Sequence, residues 1–302
     1  MRISQCFSGA TAVTKGLNGD YFLAVDKGIL LIRKDGTEKT LIQLENRILD
    51  LTFIDSIIYG VGDNGTFIRS TDYGHTWDVS TLPTTGSMWS ICSNKNGTVV
   101  THGNTVLFLS LDFGNTWKTL HPFQGLIGSK PSIRSLFLEG PYVFVGTKVH
   151  RLHGGIWRVD LEHYETIRIK KDTRMIASIL KHKQYIVSAT GTCKGHKGTI
   201  EYCQATPTFS QTYEWETCES DCQEGCYLDL SESDGYLYTT TSQDEKGVGK
   251  VLRVYIDEKK VVPCAIVHGH GWRVSNQQSE FLVAGLYTSL YTNSQFQHFI
   301  NH

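Results

Sequence analysis

Short stretches of alternating hydrophobic and polar residues follow one another along the chain, separated by turn residues such as Gly, Asn and Asp. Clear examples are Ile48–Phe53, Ser56–Val61 and Tyr142–Thr147. Alternation with a period of two places one face of a segment against a core, and it is typical of half-buried β-strands. The pattern therefore predicts an all-β protein.

The strands belong to a repeat. Two octets, STDYGHTW at 70–77 and SLDFGNTW at 110–117, share the pattern Ser-x-Asp-x-Gly-x-Thr-Trp and begin 40 positions apart. Their shared side chains are Ser70, Asp72, Gly74 and Trp77 in the first octet and Ser110, Asp112, Gly114 and Trp117 in the second. A degenerate copy follows at His153–Trp157, and the turn at 34–37 precedes them by the same step. A period near 40 with four short strands in each unit is the spacing of a β-propeller.

The octet has a physical interpretation as a tight turn. The Asp carboxylate can accept backbone N–H groups of its own turn, the Gly supplies a positive φ, and the Trp packs as the next strand begins. The octet resembles the Asp-box, or bacterial-neuraminidase repeat, of sialidases, sortilins and photosystem assembly factors. This resemblance implies that the boxes are structural, lie between the third and fourth strands of a blade, and face away from the usual ligand side.

Dividing the chain at the repeat predicts a single domain, a seven-bladed β-propeller of four-stranded antiparallel blades. The expected blades cover residues 8–46, 47–86, 87–130, 131–173, 174–225, 226–270 and 271–302, with 1–7 as a strand that closes the ring. In the first blade the expected strands begin at Asp20. In the fourth blade the third and fourth strands are expected at Val149–His153 and Ile156–Leu161.

In such a fold the connections between blades, near residues 46, 86, 130, 173, 225 and 270, share one face with the loops from second to third strands. We call this the upper face. Four cysteines are expected to meet there: Cys193 in a loop of the fifth blade, and Cys218, Cys222 and Cys226 in the connection that follows. Four thiolates, or three with His196, could bind Zn²⁺ or an iron–sulfur cluster. The spacing matches neither a zinc ribbon nor a ferredoxin, so disulfides or unpaired thiols are the alternatives.

Four arginines occur at or near the starts of innermost strands, and they are Arg47, Arg134, Arg174 and Arg273. Guanidinium groups that converge on the upper mouth of the channel would suit a carboxylate or a phosphate. The alternative is that they form salt bridges with neighbours such as Asp50 and Asp229. The second interpretation is favoured because surface charges are so often merely solvated.

The composition does not point to a nucleic-acid or membrane partner. The chain of 302 residues has 29 basic and 30 acidic side chains and a formal net charge of −1. No segment approaches the roughly 18 apolar residues of a membrane helix, and the N-terminus lacks the apolar core of a secretory signal. We therefore expect a cytoplasmic or virion protein.

These features favour a non-enzymatic interaction or scaffold protein, because a propeller presents a broad docking surface on rigid loops. The basic stretch Arg168–Lys197 and the acidic stretch Glu214–Asp234 give the fifth blade a charge pattern that a protein partner could recognise. Such a protein would suit an assembly factor or a component of a larger particle, including a viral tail or injection apparatus. The alternative is a glycosidase or lyase that acts on an anionic sugar at the arginines, although no catalytic residue is identified.

Overall fold

The structure is a computed structural model, and it describes residues 9–26, 28–193, 196–205, 214–220, 225–285 and 290–292. Within these residues the regular elements are β-strands, apart from one 3₁₀ turn at Asp63–Gly65. The all-β prediction is confirmed. The predicted closing strand at 1–7 lies outside the described residues.

The strands, in chain order, are β1 Ala10–Lys15, β2 Tyr21–Val25, β3 Gly28–Ile32, β4 Glu38–Gln43, β5 Ile48–Ile54, β6 Ile57–Gly62, β7 Thr66–Ser70, β8 Asp78–Thr81, β9 Ile91–Ser93, β10 Val99–His102, β11 Leu107–Ser110, β12 Lys118–Leu120, β13 Ile133–Glu139, β14 Tyr142–Thr147, β15 Gly155–Asp160, β16 Thr166–Lys171, β17 Ile176–His182, β18 Tyr185–Thr190, β19 Ile200–Gln204, β20 Glu216–Ser220, β21 Tyr227–Ser233, β22 Tyr236–Thr241, β23 Val248–Tyr255, β24 Lys260–His268, β25 Gly271–Gln277, β26 Glu280–Gly285 and β27 Leu290–Thr292.

Strands that follow one another in the sequence pair in antiparallel sheets. β1–β4, β5–β8, β9–β12 and β13–β16 each form a four-stranded sheet, and β25–β27 form a three-stranded sheet. β17–β24 form one eight-stranded sheet in the order β17-β18-β19-β20-β24-β23-β22-β21. In its middle, β20 and β24 run parallel and are joined through Glu219↔Lys260 and Ser220↔Val261.

The first strands of the repeating units stand side by side in a closed ring. β1, β5, β9, β13, β17, β21 and β25 each contact the next strand of this series, and β25 contacts β1. A hydrophobic cluster fills the space between each pair of neighbouring units. Between the last unit and the first, Leu282 and Ala284 pack with Ala10 and Leu23. This is the architecture of a β-propeller, with a channel along the ring axis.

The ring strands share an irregularity near their N-terminal ends. In six of them the pairing register shifts just after the strand begins, for example between Ile133 and Ser135 and between Gly271 and Arg273. A β-bulge of this kind inserts an unpaired residue and re-aims its side chain. The bulges thus set the direction of Arg134 and Trp272, the inserted residues of β13 and β25.

Two strand predictions were wrong. In the first unit the innermost strand is β1, which precedes the expected start at Asp20. In the fourth unit Val149–His153 is a loop, so that β15 is the third strand and β16 the fourth. The degenerate copy at His153–Trp157 therefore leads into the third strand and does not form the turn before the fourth.

A close backbone approach explains where β15 begins. Gly155 has a φ of +127°, and a β-carbon at this position would lie 1.9 Å from the carbonyl oxygen of Lys170 in β16. Only glycine permits this approach. The pair of glycines at 154–155 thus marks the entry into a strand, and the hydrophobic residues before it belong to the loop.

Candidate functional site

A cavity of about 400 Å³ occupies the channel. Residues of all seven ring strands contribute to its lining, and at one equivalent position they are Asp50, Ser90, Ser135, Ser178, Asp229 and Arg273. Farther along the strands, toward the hairpins that lead to the second strands, Lys15, Lys181 and Glu232 also line it. The lining is largely polar, in contrast to the apolar clusters between the sheets.

Two tryptophans and an arginine close the upper end of the channel. Trp89 precedes β9 and Trp272 lies in β25. Because β9 and β25 are not neighbours in the ring, the 5.6 Å between the two indole centroids spans the channel. Arg134 of β13 lies against both indoles, with its Cζ 5.5 and 5.4 Å from their centroids. We call Trp89, Arg134 and Trp272 the channel plug. All three lie at the starts of their ring strands, which places the plug at the upper face.

Arg134 is buried without an acceptor. The residue is only 3% exposed, and its Nη1 and Nη2 have no hydrogen-bond partner among the described residues. The Nε1 of Trp272 is also buried and unpartnered in that part of the chain. Loss of hydration, together with the charge of Arg273, lowers the pKa of Arg134 to about 9. A buried cation without a hydrogen-bonded partner is unfavourable. Arg273 Nε is also buried without a hydrogen bond, but Arg273 faces two carboxylates, whereas both Nη atoms of Arg134 lack a partner.

Arg273, by contrast, is neutralised. Its Nε lies 3.4 Å from Asp50 Oδ1, its Nη1 lies 3.4 Å from Asp229 Oδ1, and its Nη2 donates to the carbonyl oxygen of Trp89 at 2.6 Å. Asp50 also accepts the backbone N–H of Ile91 at 2.9 Å, and Asp229 that of Val274 at 3.0 Å. Burial raises the pKa of both carboxyls, and the charge of Arg273 opposes that rise. The favoured interpretation of the arginines, pairing with Asp50 and Asp229, therefore describes Arg273.

The four arginines do not form the single funnel that their positions in the sequence suggested. Arg134 and Arg273 are near each other in the channel. Arg47 instead pairs with Asp63 of the 3₁₀ turn at 2.9 Å, and its side chain is half exposed. Convergence of the four arginines on one point was the less favoured interpretation, and it does not occur, because the start of a ring strand does not fix the direction of the side chains that precede it.

Arg174 lies in a third location, in a pocket between β16 and the outer strands of the next unit. It pairs with Asp172 at 2.7 Å and with Glu201 at 2.5 Å, and Lys170 bonds to the same two carboxylates. Trp215 also lines the pocket. The four charges balance one another, so Arg174 itself is not free to bind an anionic ligand, although the exposed Lys171 also lines the pocket.

The predicted cysteine cluster is assembled only in part within the described residues. Cys226 lies against the loop that carries Cys193, because the N–H of Thr192 donates to its Sγ at 3.2 Å. Cys193 in turn pairs through its backbone with His196. The topology thus brings these two loops together, as the blade order predicted. Cys222 lies outside the described residues.

The expected position of Cys218, in the connection that follows the fifth unit, was wrong. This residue lies inside β20, opposite Ile200, and its 5% exposed side chain belongs to a core cluster with Val187 and Tyr202. Burial raises the pKa of the thiol to about 12, which disfavours the thiolate that a metal requires. Among the described residues no group of three His, Cys, Asp or Glu side chains could hold a metal ion. Zinc or iron–sulfur binding stays a prediction.

Both octets form turns between a third and a fourth strand, β7–β8 and β11–β12. In the first, Asp72 accepts the N–H and the hydroxyl of Thr76 at 2.8 and 2.6 Å, Gly74 N–H donates to Ser70 Oγ, and the Trp77 indole donates to the Gly74 carbonyl. The carboxylate of the second octet repeats these contacts at 2.9 and 2.6 Å. The hydrogen bonds, above all the threonine hydroxyl, lower the pKa of both carboxyls to about 2. The strand direction places both turns on the face opposite the upper face.

An exposed apolar cluster, which the sequence interpretation missed, lies on the upper face. Its side chains are Ile127, Leu152 and Val149, which are 90%, 58% and 53% exposed. Ile127 belongs to the connection 121–132, and the other two belong to the loop 148–154. The Nε2 of His153 bonds to the carbonyl oxygen of Ile127 at 2.9 Å and ties the two segments together. Val149 and Leu152 were missed because Val149–His153 was expected to be a strand of the fourth blade and is instead a loop.

The charged residues around this cluster are basic. Lys130, Lys148 and Arg151 are exposed in the same two segments, and neither segment contains Asp or Glu. Lys148 Nζ lies 6.0 Å from the ring centroid of Trp89, so the basic surface reaches the channel plug. We call the surface of segments 121–132 and 148–154 the upper patch.

Comparison with known proteins places the chain in a family. No protein-family model matches it. It is, however, 37% identical over 283 residues to the uncharacterized protein YkuO of Bacillus subtilis (strain 168), and the match covers 92% of this chain and 94% of that protein. The chain belongs to the YkuO family.

Solved structures show that this YkuO-family chain has a β-propeller fold. It superposes on YCF48 from Cyanidioschyzon merolae with a TM-score of 0.70 and 14% identity, covering 95% of this chain and 96% of that one. It superposes on the RRP9 WD40 repeats with a TM-score of 0.70 and 8% identity, with the same coverage. The described residues contain no helix long and apolar enough to cross a membrane.

Proposed function

We propose that the protein is a seven-bladed β-propeller of the Asp-box type that acts without catalysis, as a scaffold that binds an acidic protein partner through the upper patch. The observation that carries this proposal is the combination, in one small surface, of exposed apolar side chains with charges of a single sign.

The blade count rests on the ring of first strands. Seven such strands contact one another in succession, and seven hydrophobic clusters separate the units. The eight-stranded sheet is best divided into two blades, β17–β20 and β21–β24, because β20 and β24 are outer strands that meet through two residue pairs. The Asp-box assignment is supported by the turn geometry of the two octets, in which the carboxylate accepts the hydrogen bonds of its own turn.

The upper patch has the composition of a docking surface. A 90% exposed isoleucine beside two further exposed aliphatic side chains costs solvation free energy in the isolated protein, which burial against a partner would recover. Three exposed cations without a neighbouring acid in either segment favour a partner surface of negative charge. The His153–Ile127 hydrogen bond holds the two segments in one arrangement, so that little ordering is required on binding.

The competing hypothesis, a glycosidase or lyase acting on an anionic sugar, is not favoured. It relied on four arginines that converge on one ligand. Arg47 and Arg174 are instead held in ion pairs away from the channel, and Arg273 is held by two carboxylates within it.

The proposal is tested first by cross-linking in the native organism. A photo-reactive amino acid replaces Leu152 in one strain and Val79 in another. Val79 is a fair control because it is 54% exposed and lies on the outer strand β8, away from the upper patch. We expect a discrete cross-linked protein from position 152 and none from position 79.

Binding of the purified partner is then measured by biolayer interferometry. Leu152→Asp and Lys148→Glu should each weaken binding about tenfold or more, as changes at the centre of an interface do, whereas Val79→Asp should not. Raising the salt concentration should also weaken binding, because the attraction between unlike charges is screened. An equal loss for Val79→Asp, or a partner that binds the Lys148→Glu variant as tightly as the wild type, would contradict the proposal.

A further inference from the structure

We infer that Arg134 is the centre of a buried binding site for one small monovalent anion, of the size of a halide or a formate, within the channel plug. This site does not depend on the proposed scaffold function.

The plug has more hydrogen-bond donors than acceptors. The Nη1 and Nη2 of Arg134 carry four N–H bonds between them, and the Trp272 indole adds one more. None of these three nitrogens has a partner among the described residues. Buried donors nearly always find an acceptor in native proteins, so a cluster of such donors indicates an acceptor that does not belong to the protein.

The nearby acceptors are already engaged. The Nε2 of His102 accepts the N–H of Trp89 at 3.2 Å, and its Nδ1 is bonded to the carbonyl oxygen of Gly103. Burial lowers the pKa of His102 to about 4, so this ring is neutral at physiological pH. It therefore supplies neither a free lone pair for Arg134 nor a competing charge.

The carboxylates of the channel are engaged as well. Asp50 and Asp229 both face Arg273, each at 3.4 Å, and each accepts a backbone N–H. Arg273 is thus one cation between two carboxylates, and Arg134 supplies the second positive charge. Arg134 balances the charge without a hydrogen bond to either carboxylate. Lys148 adds a further positive charge on the solvent side of the plug.

The surroundings also select the size and charge of the ligand. Arg134 lies beside two indoles that contact each other with centroids 5.6 Å apart, and its Cζ is 5.5 and 5.4 Å from those centroids. Groups packed this closely could admit a small ion beside the guanidinium, but not a sugar or a nucleotide. With Lys148 counted, the group carries one net positive charge, which a singly charged anion would neutralise. A doubly charged anion would leave one uncompensated charge, which is costly in a buried site. Entry is from the upper face past Lys148, because an anion in the channel cavity would first meet Asp50 and Asp229.

The test measures anion-dependent stability and fluorescence at constant ionic strength. Sodium sulfate is replaced stepwise by chloride, bromide, formate or acetate while thermal unfolding and tryptophan emission are recorded. We expect a saturable rise in the unfolding temperature with halide or formate, since a ligand that binds only the folded state stabilises it. The Arg134→Gln variant should lose this response. Arg47→Gln, which removes a half-exposed guanidinium outside the channel, should keep it.

Two further measurements keep the test decisive if Arg134→Gln does not fold. Trp272→Phe retains the aromatic ring but removes the Nε1 donor, and it should weaken anion binding about tenfold, as loss of a hydrogen bond to a charged group does. Crystals grown in bromide should show anomalous density within hydrogen-bond distance of Arg134 Nη1 or Nη2. The inference is overturned if the wild type gives no saturable response, if Arg134→Gln or Trp272→Phe responds like the wild type, or if bromide binds elsewhere only.

Discussion

Replacement of Cys218 by serine tests whether this residue is part of the hydrophobic core or a metal ligand. The thiol is 5% exposed within β20 and packs in a cluster that includes Val187, Ile200 and Tyr202. Serine has nearly the same shape but puts a hydroxyl into this apolar environment. A buried hydroxyl without a hydrogen bond costs about 1–3 kcal/mol, and we expect Cys218→Ser to lower the free energy of unfolding by that amount.

Two matched variants are needed to interpret this change in the free energy of unfolding. Cys218→Ala removes the sulfur without adding a polar group, and the lost burial of roughly one small apolar group should cost about 1–2 kcal/mol. Cys193→Ser makes the same chemical change as Cys218→Ser in a partly exposed loop, where we expect a change within about 0.5 kcal/mol. Urea unfolding followed by tryptophan fluorescence provides all three values, provided that the dependence on urea is unchanged.

Metal content decides between the two roles. Each variant is purified without oxygen, and zinc and iron are measured by mass spectrometry. A core residue loses stability and leaves any bound metal unchanged. The placement of Cys218 in the core is refuted if Cys218→Ser unfolds at the wild-type urea concentration while a metal present in the wild type is lost.

Two further predictions concern carboxylates: those of the two octets, which accept hydrogen bonds, and that of Asp229, which pairs with Arg273. The octet carboxyls have folded pKa values lowered from 3.8 to about 2, so the stability they contribute is present above pH 4 and is lost as the pH falls toward 2. The unfolding temperatures of the wild type and of the double variant Asp72→Ala/Asp112→Ala should therefore differ at pH 6 and converge near pH 2. A difference that stays constant with pH would contradict this prediction. Asp229→Ala leaves Arg273 with one carboxylate in a buried site and should lower the free energy of unfolding in urea by about 3–5 kcal/mol. Asp257→Ala, in an exposed pair with Lys183, should lower it by less than about 1 kcal/mol. Similar losses would show that the ion pairs of Arg273 with Asp50 and Asp229 are not buried as described.

The octets were interpretable from the sequence because their chemistry is local. Asp72 accepts hydrogen bonds from Thr76, four residues away, and Trp77 donates to Gly74 within the same turn. Every group that defines the turn is therefore present in one short segment. The repeat of that segment at 110–117 then gave the length of a unit, and from it the propeller fold.

Trp157 shows where this reasoning failed. It continues the 40-residue step from Trp77 and Trp117, and its indole also donates to a carbonyl oxygen, that of His153 at 3.0 Å. Yet it lies in the third strand, where it packs against Phe123 with ring centroids 5.5 Å apart. A tryptophan can recur at the blade period because the interface between sheets needs a large side chain there. Spacing alone does not distinguish that cause from a turn motif.

The candidate site depended on features that no local pattern encodes. Whether Cys218 lay in a strand or in the following connection depended on where the last strand of the fifth unit ends, and β20 continues to Ser220. The direction of Arg134 depended on a bulge in the pairing of β13 with β14. Both are decided by pairing with strands that are distant in sequence, and alternation within the segment itself does not reveal them.

The ring strands are paired in the same way, but they differ in the side chain at one equivalent position, and this difference forms the channel plug. At the position of Arg134 and Trp272, the other ring strands carry the smaller or purely apolar residues Thr11, Leu49, Ala177 and Leu228, with Trp89 as the third large member. Seven equal side chains of tryptophan size could not meet at one axis, whereas three large ones with small neighbours opposite can. Two of the three, Trp89 and Arg134, come from adjacent units that also carry Lys148 and the upper patch. The unpartnered N–H groups of Arg134 therefore lie on the same side of the propeller as the exposed cations of that patch. The same asymmetry that closes the channel therefore concentrates positive charge at one part of the upper face, and an acidic partner and a small buried anion would be drawn to neighbouring sites for a common electrostatic reason.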